Sequence, residues 1–253
     1  MTDQLAALTT IFTEFYYWVT VVLMFLIHVG FCMYEVGASR YKHHQHTLMK
    51  NTMLIPLVTV TWFLFGWWIY WAFPTGPGLA PSIMNESTAL ITDDSLFSAK
   101  FQVATSSIMA VNLGDHINGV FWAAFLLFSW TAASIVSGAI IERITTFAFG
   151  ILAIAIGSVF WTIDAAWGWH FDGWMLKILG YHDAYASINP LGMFLGAIIM
   201  FFVLGLIPGY IIAKVLHGMG KLRIPREAEI AGLDYEMMES AKEDEKAVSS
   251  ATR

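Results

Sequence analysis

The chain has 253 residues, of which 57% are hydrophobic, 15% aromatic and only 13% charged, and its mean hydropathy is +0.63. One water-soluble core cannot bury that much apolar surface, so the composition excludes a soluble globular domain and points to a bilayer. The formal charge of −6, with acidic residues gathered in two loops and the tail, gives no footprint for nucleic acid. A single cysteine, Cys32, allows neither an internal disulfide nor a cysteine-based metal site.

The N-terminal stretch carries Asp3 and Glu14 and no basic residue, so the first apolar run reads as a retained span rather than a cleaved leader. That run, Ile11–Tyr34, holds His28 among apolar neighbours, where a neutral packing histidine is the simplest reading. Glu35 and Arg40 follow five residues apart and read as an ion pair or loop clamp. His43, His44 and His46 crowd the same loop; they are weak metal candidates, being too close in sequence to converge on one helix face. The second span is Met53–Phe73, ending in the belt-like "WWIYW". Beyond a three-residue glycosylation pattern at Asn85, the stretch Leu96–Leu113 contains Lys100, Gln102 and Asn112 and reads as an interfacial or re-entrant helix.

The third span, Val120–Ile141, is studded with Ser129, Ala132, Ala133, Ser137 and Gly138, small residues that let membrane helices pack closely, and is followed at once by Glu142 and Arg143, a second clamp. The fourth is Phe147–Trp169, running into "WGWHFDGW"; the fifth is Leu191–Leu216. Between them stands Asp183, which could cap a helix or draw a cation toward the indole faces of Trp167, Trp169 and Trp174. The spacing leaves both readings open.

Short inner loops carry an excess of Lys and Arg. Arg40, Lys42 and Lys50 mark the first loop, Arg143 the third, and Lys214, Lys221, Arg223 and Arg226 the start of the tail, while the second and fourth loops are acidic. Five spans put every basic segment on one side, whereas a sixth would scatter them. The expected fold is therefore an all-α membrane protein of about five transmembrane helices, N-terminus outside and C-terminus in the cytoplasm. Residues 1–217 form the membrane domain and 218–253 a cytoplasmic tail, disordered towards its end.

Four segments, in order, resemble the ammonium transporter family. "YEVGASRYKHHQHTLMKN" (34–51) is similar to its first inner loop, "TAASIVSGAIIERI" (131–144) to its third-helix signature, "GWMLKILGYHDAYAS" (173–187) to the connection bearing its aspartate, and "GKLRIPREAEIAGLDYEMMESA" (220–241) to its tail. The resemblance implies recruitment of ammonium at an outer site by Asp183 and aromatic faces, Trp169 and Trp174 among them, then passage of ammonia past Phe128. It also implies departures. Members of the family have about eleven spans in two inverted halves with the pore between them, and this chain is similar to the first half joined to the tail. Leu191 stands where the first pore histidine is expected, eight residues after the aspartate, and Ala124 where a second gate phenylalanine is expected.

Two functions follow. One is an ammonium or ammonia channel or recruitment module completed by oligomerisation; the other is a non-conducting accessory subunit or ammonium sensor. An enzyme is not expected, since the sequence presents no nucleophile–base pair, phosphate loop or metal constellation, and no cofactor is called for. Partners are expected to be the lipid bilayer, ammonium, and second copies or other membrane subunits covering the 120–141 and 191–216 faces, in a prokaryotic cell (inner) membrane.

Overall fold

The computed structural model describes residues 2–74, 116–170, 173–175 and 190–235. The expected helix Leu96–Leu113, the far end of the tail and Asp183 lie outside them. Among the described residues there is no strand, only an isolated antiparallel bridge between Ile144 and Arg223. Among the described residues five helical stretches are long and apolar enough to cross a membrane: Ile11–Ala38, Tyr41–Tyr70, Val120–Ala139, Thr146–Gly168 and Pro190–Gly218.

The second span begins well before the Met53 expected from hydropathy. A short 3-10 turn, Tyr41–His43, leads directly into a helix from His44, so the polar run "HHQHTLMKN" is helical and mostly buried. Its polar side chains are tolerated because distant segments cover them: Asn51 bonds Glu35 at the end of the first span, and Asp234 of the tail caps the helix start. Lys50 is thus a buried residue of the second span and not a loop charge.

Three spans widen into π-helical turns, at Trp62–Gly66, Ala155–Phe160 and Ile199–Leu206. Such a turn disturbs the regular backbone ladder, and freed carbonyls need other donors. Here the Gly157 carbonyl accepts from the Ser129 hydroxyl at 2.7 Å and from Thr162 at 3.3 Å. Thr61 and Ser158 share a hydrogen bond of 2.7 Å between the second and fourth spans. Gly157 makes the approach feasible, because a Cβ there would sit 2.9 Å from the Ser129 carbonyl oxygen and 3.2 Å from a Val58 methyl. Gly157→Val is therefore expected to cost about 1–3 kcal/mol through overpacking, read as a lower unfolding midpoint in detergent.

The third span is the hub, packing on the first, second and fourth. Its small face is covered from within: Ser129, Ala133, Ser134 and Ser137 are fully buried, while Ile135, Gly138 and Ala139 stay open. Those four small residues thus pack against the chain's own spans. The first and fifth spans are the outward walls, with Phe12, Phe194 and Phe201 all more than 60% exposed, a surface suited to lipid or to another apolar helix.

Residues 39–43 and 140–145 and the tail gather at one end of the bundle. There the Thr145 N–H bonds the Leu222 carbonyl, the Ile224 N–H bonds the Arg143 carbonyl, and the Lys42 ammonium bonds the Ile230 carbonyl of a short tail helix, Arg226–Ala231. Gly232, at φ 113°, lies so close to Lys42 that a Cβ would come within 2.8 Å of that residue's own Cβ. This is the tail end; the other is the aromatic end.

Candidate functional site

At the aromatic end, the third span carries Phe121, Phe125 and Phe128 at helical spacing; Phe121 packs on Tyr17, Trp67 and Tyr70 of the first two spans, while Phe125 and Phe128 face the fourth. The Phe128 ring stacks on Trp161, centroids 6.1 Å apart and planes within 11°, and Trp169 meets Phe128 edge-on at 5.2 Å. Phe125 closes the group, 5.6 Å from Trp169 and 5.7 Å from Trp161. Trp169 stands just past the end of the fourth span, where its N–H and that of His170 both bond the Ala165 carbonyl. It is 53% exposed, so the four-ring group opens to the surface through that indole.

The chain then turns tightly at Gly173, whose N–H bonds the His170 carbonyl at 2.7 Å; a Cβ there would fall 2.4 Å from the Trp167 carbonyl oxygen. The turn carries Trp174 onto Trp167, ring centroids 5.5 Å apart, and its N–H onto the Pro74 carbonyl. Of the expected entrance residues, Phe128 and Trp169 therefore come together, Trp174 joins Trp167, and Asp183 is outside the described residues. Trp161 and Phe125 were not singled out from the sequence. The 121/125/128 stripe would have found Phe125, while Trp161 carries only its eight-residue offset from Trp169 as a signal.

At the tail end, Arg40 pairs with Glu142 and not with Glu35, which corrects the five-residue pairing expected from the sequence. The guanidinium reaches the Glu142 carboxylate at 2.6 Å, and the Arg40 backbone N–H donates to the same group at 2.5 Å. Glu142 holds φ at 65°, the left-handed region that costs a non-glycine residue about 1 kcal/mol or more. The clamp holds it there. Burial opposes the charge on Glu142, but hydrogen bonds from the Arg40 side chain and backbone, with the pull of His43 and Arg40, outweigh it and hold the carboxyl below its ordinary range. A depressed carboxyl stabilises the fold in full above the unfolded value of about 4.3 and loses that contribution as pH falls through the folded value. Protection of the amides of residues 140–145, their exchange taken relative to that of the free peptide, is thus expected to be high at neutral pH, to fall below about pH 4, and to be low at every pH in Glu142→Gln. Arg143 is exposed, and its backbone rather than its side chain meets the tail.

Glu35 is 1% exposed; its Oε2 accepts from Asn51 at 2.8 Å and Ser137 at 2.7 Å, and Asn51 in turn accepts from Ser134. The three loop histidines do not converge. His44 bonds the Ser39 carbonyl and packs on Tyr41, His43 accepts the Leu233 N–H through Nδ1, and His46 is buried one turn on. Among the described residues no group of three His, Cys, Asp or Glu could hold a metal ion.

The chain matches the Ammonium Transporter Family over residues 14–189. It belongs to the ammonium transporter family. Family relatives include ammonium transporter Amt1 of Haloferax mediterranei, 30% identical over 203 residues, which are 79% of this chain and 34% of that protein. Amt2 of the same organism is 29% identical over 70% of this chain and 35% of its own length. A Synechocystis sp. protein provisionally named an ammonium transporter is 28% identical over 74% of this chain and 38% of its own length. The chain thus spans little more than a third of these relatives. No solved structure matches. The family match takes in the first four spans, the Phe128–Trp169 group and Asp183. With its five apolar helices, the chain is an ammonium-transporter-like integral membrane protein.

Proposed function

We propose that this protein recruits ammonium at its aromatic end and that a second copy completes a pathway across the membrane. The observation that carries the reading is the group of Phe125, Phe128, Trp161 and Trp169, open to the surface through a half-exposed indole. Aromatic faces attract ammonium-like cations, by about 0.5–1 kcal/mol at an exposed site and more when water is excluded. Asp183, which the resemblance matches to the family's aspartate, would supply the negative charge that such recruitment calls for. The basic residues Arg40, Lys42, Arg143, Lys221, Arg223 and Arg226 sit in segments gathered at the opposite end, which supports a tail end facing the cytoplasm of a prokaryotic cell. Transport rather than enzymatic chemistry is the class this supports.

Tryptophan emission offers the test. Ammonium, but not sodium at equal ionic strength, is expected to change the emission of the purified protein saturably, and Trp169→Leu should remove most of that change. An identical response to both cations, or one that survives Trp169→Leu, would remove the aromatic group from the function.

A second reading has its own observation. Leu191, where the family resemblance puts a pore histidine, is apolar and 67% exposed on the fifth span, and cannot accept or relay a proton. That favours a sensor or accessory subunit that binds ammonium without conducting it.

A further inference from the structure

The contact between the first and second spans carries a polar stripe that the aromatic site does not use. On the first span His28 and Glu35 lie seven residues apart on one face; on the second, His43, His46, Thr47, Lys50 and Asn51 follow at helical spacing. Each of these is 5% exposed or less. Their hydrogen bonding is incomplete in a consistent way. His43 Nε2, His46 Nε2, Thr47 Oγ1, Lys50 Nζ, Glu35 Oε1 and His28 Nδ1 are buried and have no hydrogen-bond partner among the described residues. Further along the second span the buried face turns apolar at Leu54 and Val58, and His28 lies against Trp130, ring centroids 5.7 Å apart. The stripe therefore starts at the tail end and stops at the depth of His28, about 12 Å away by helix rise from residue 43 to 51.

Six such atoms in a row cannot remain dry, because each would forfeit its hydration without replacement. Their chemistry suits water, which accepts and donates at once. His43 Nδ1 accepts the Leu233 N–H, so the proton of the neutral ring sits on the buried Nε2, a donor. Lys50 donates, Glu35 Oε1 accepts, and Thr47 does either. Among the described residues no ion pair joins Glu35 to Lys50. The surrounding elements bring little competing charge: the third span offers Ser134 and Ser137, the fourth the Phe149 ring 5.0 Å from Lys50 Nζ, and the tail Asp234, whose two oxygens are taken by the Gln45 and His46 N–H groups. Arg40 and Glu142 neutralise each other at the tail end.

We infer that this stripe holds a chain of internal waters through which protons pass between the tail-end surface and His28. Ionisable groups in a row within a membrane protein mark such relays, and here the relay ends at a histidine against an apolar barrier rather than crossing the bilayer. It does not depend on ammonium binding at the other end. Solid-state NMR of the full chain in lipid bilayers, with ¹⁵N-labelled histidine, tests it; the His28 signal is identified by its loss in His28→Phe. The wild-type His28 ring should show magnetisation transfer from water and should respond to bulk pH. Thr47→Val, which removes one station without changing volume, should slow the water exchange severalfold while the Asn51–Glu35–Ser137 bonds persist. A wild-type His28 ring with no water transfer and no response to pH would overturn the inference, as would exchange in folded Thr47→Val at the wild-type rate.

Discussion

Glu35→Ala is expected to lower stability by about 3–5 kcal/mol, because hydrogen bonds to a charged group contribute about 1.5–3 kcal/mol each and two buried donors lose their acceptor. The carboxylate receives both Asn51 and Ser137, each of them buried. Glu35→Gln keeps an acceptor oxygen for Asn51 and Ser137 but not the charge, and should cost roughly half as much. Unfolding in detergent, followed by loss of helical circular dichroism, separates the two; equal and negligible losses would mean that the network is not holding the first three spans together.

The second large effect concerns the tail. Asp234 sits at the start of the second-span helix and accepts the backbone N–H groups of Gln45 at 3.0 Å and His46 at 2.9 Å, a cap supplied from 188 residues away. Charge-assisted bonds at a helix N-terminus are among the stronger surface interactions. Asp234→Ala is expected to weaken tail docking by about 2 kcal/mol, which raises the undocked fraction about thirtyfold. Limited proteolysis around residues 219–231 should accelerate accordingly, with the five spans unaffected. A cleavage rate unchanged in the variant would show that the contacts of Lys42, Thr145 and Ile224 suffice.

The five spans were legible because bilayer thickness imposes a run of about 20 apolar residues that a hydropathy scan detects. The start of the second span was not. "HHQHTLMKN" has loop composition, and what permits its burial, the bonds from Asn51 to Glu35 and from Gln45 to Asp234, joins residues 16 and 189 apart in sequence and becomes visible only in three dimensions. Arg40 was misassigned for the same reason: Glu35 was near in sequence, but Glu142 is the residue that the third-span turn brings within reach. The π turns left no compositional trace beyond Gly66, Gly157 and Gly205, and the small size of Gly157 is explained only once Ser129 and Val58 of the neighbouring spans are in place. At the aromatic end, resemblance to the family selected Phe128 and Trp169. The stacking partner Trp161 faces them because the π turn just before it sets the phase of the rest of the fourth span.

The central claim is that this protein handles ammonium. Its most direct test is an ammonium-dependent current or internal pH change in proteoliposomes holding well-inserted protein, with Asp183→Ala and Trp169→Leu reconstituted alongside. The expected result is a saturable signal that grows with ammonium and falls at least tenfold in either variant, equivalent to about 1.4 kcal/mol. A wild-type signal no greater than that of empty liposomes would contradict the proposed pathway.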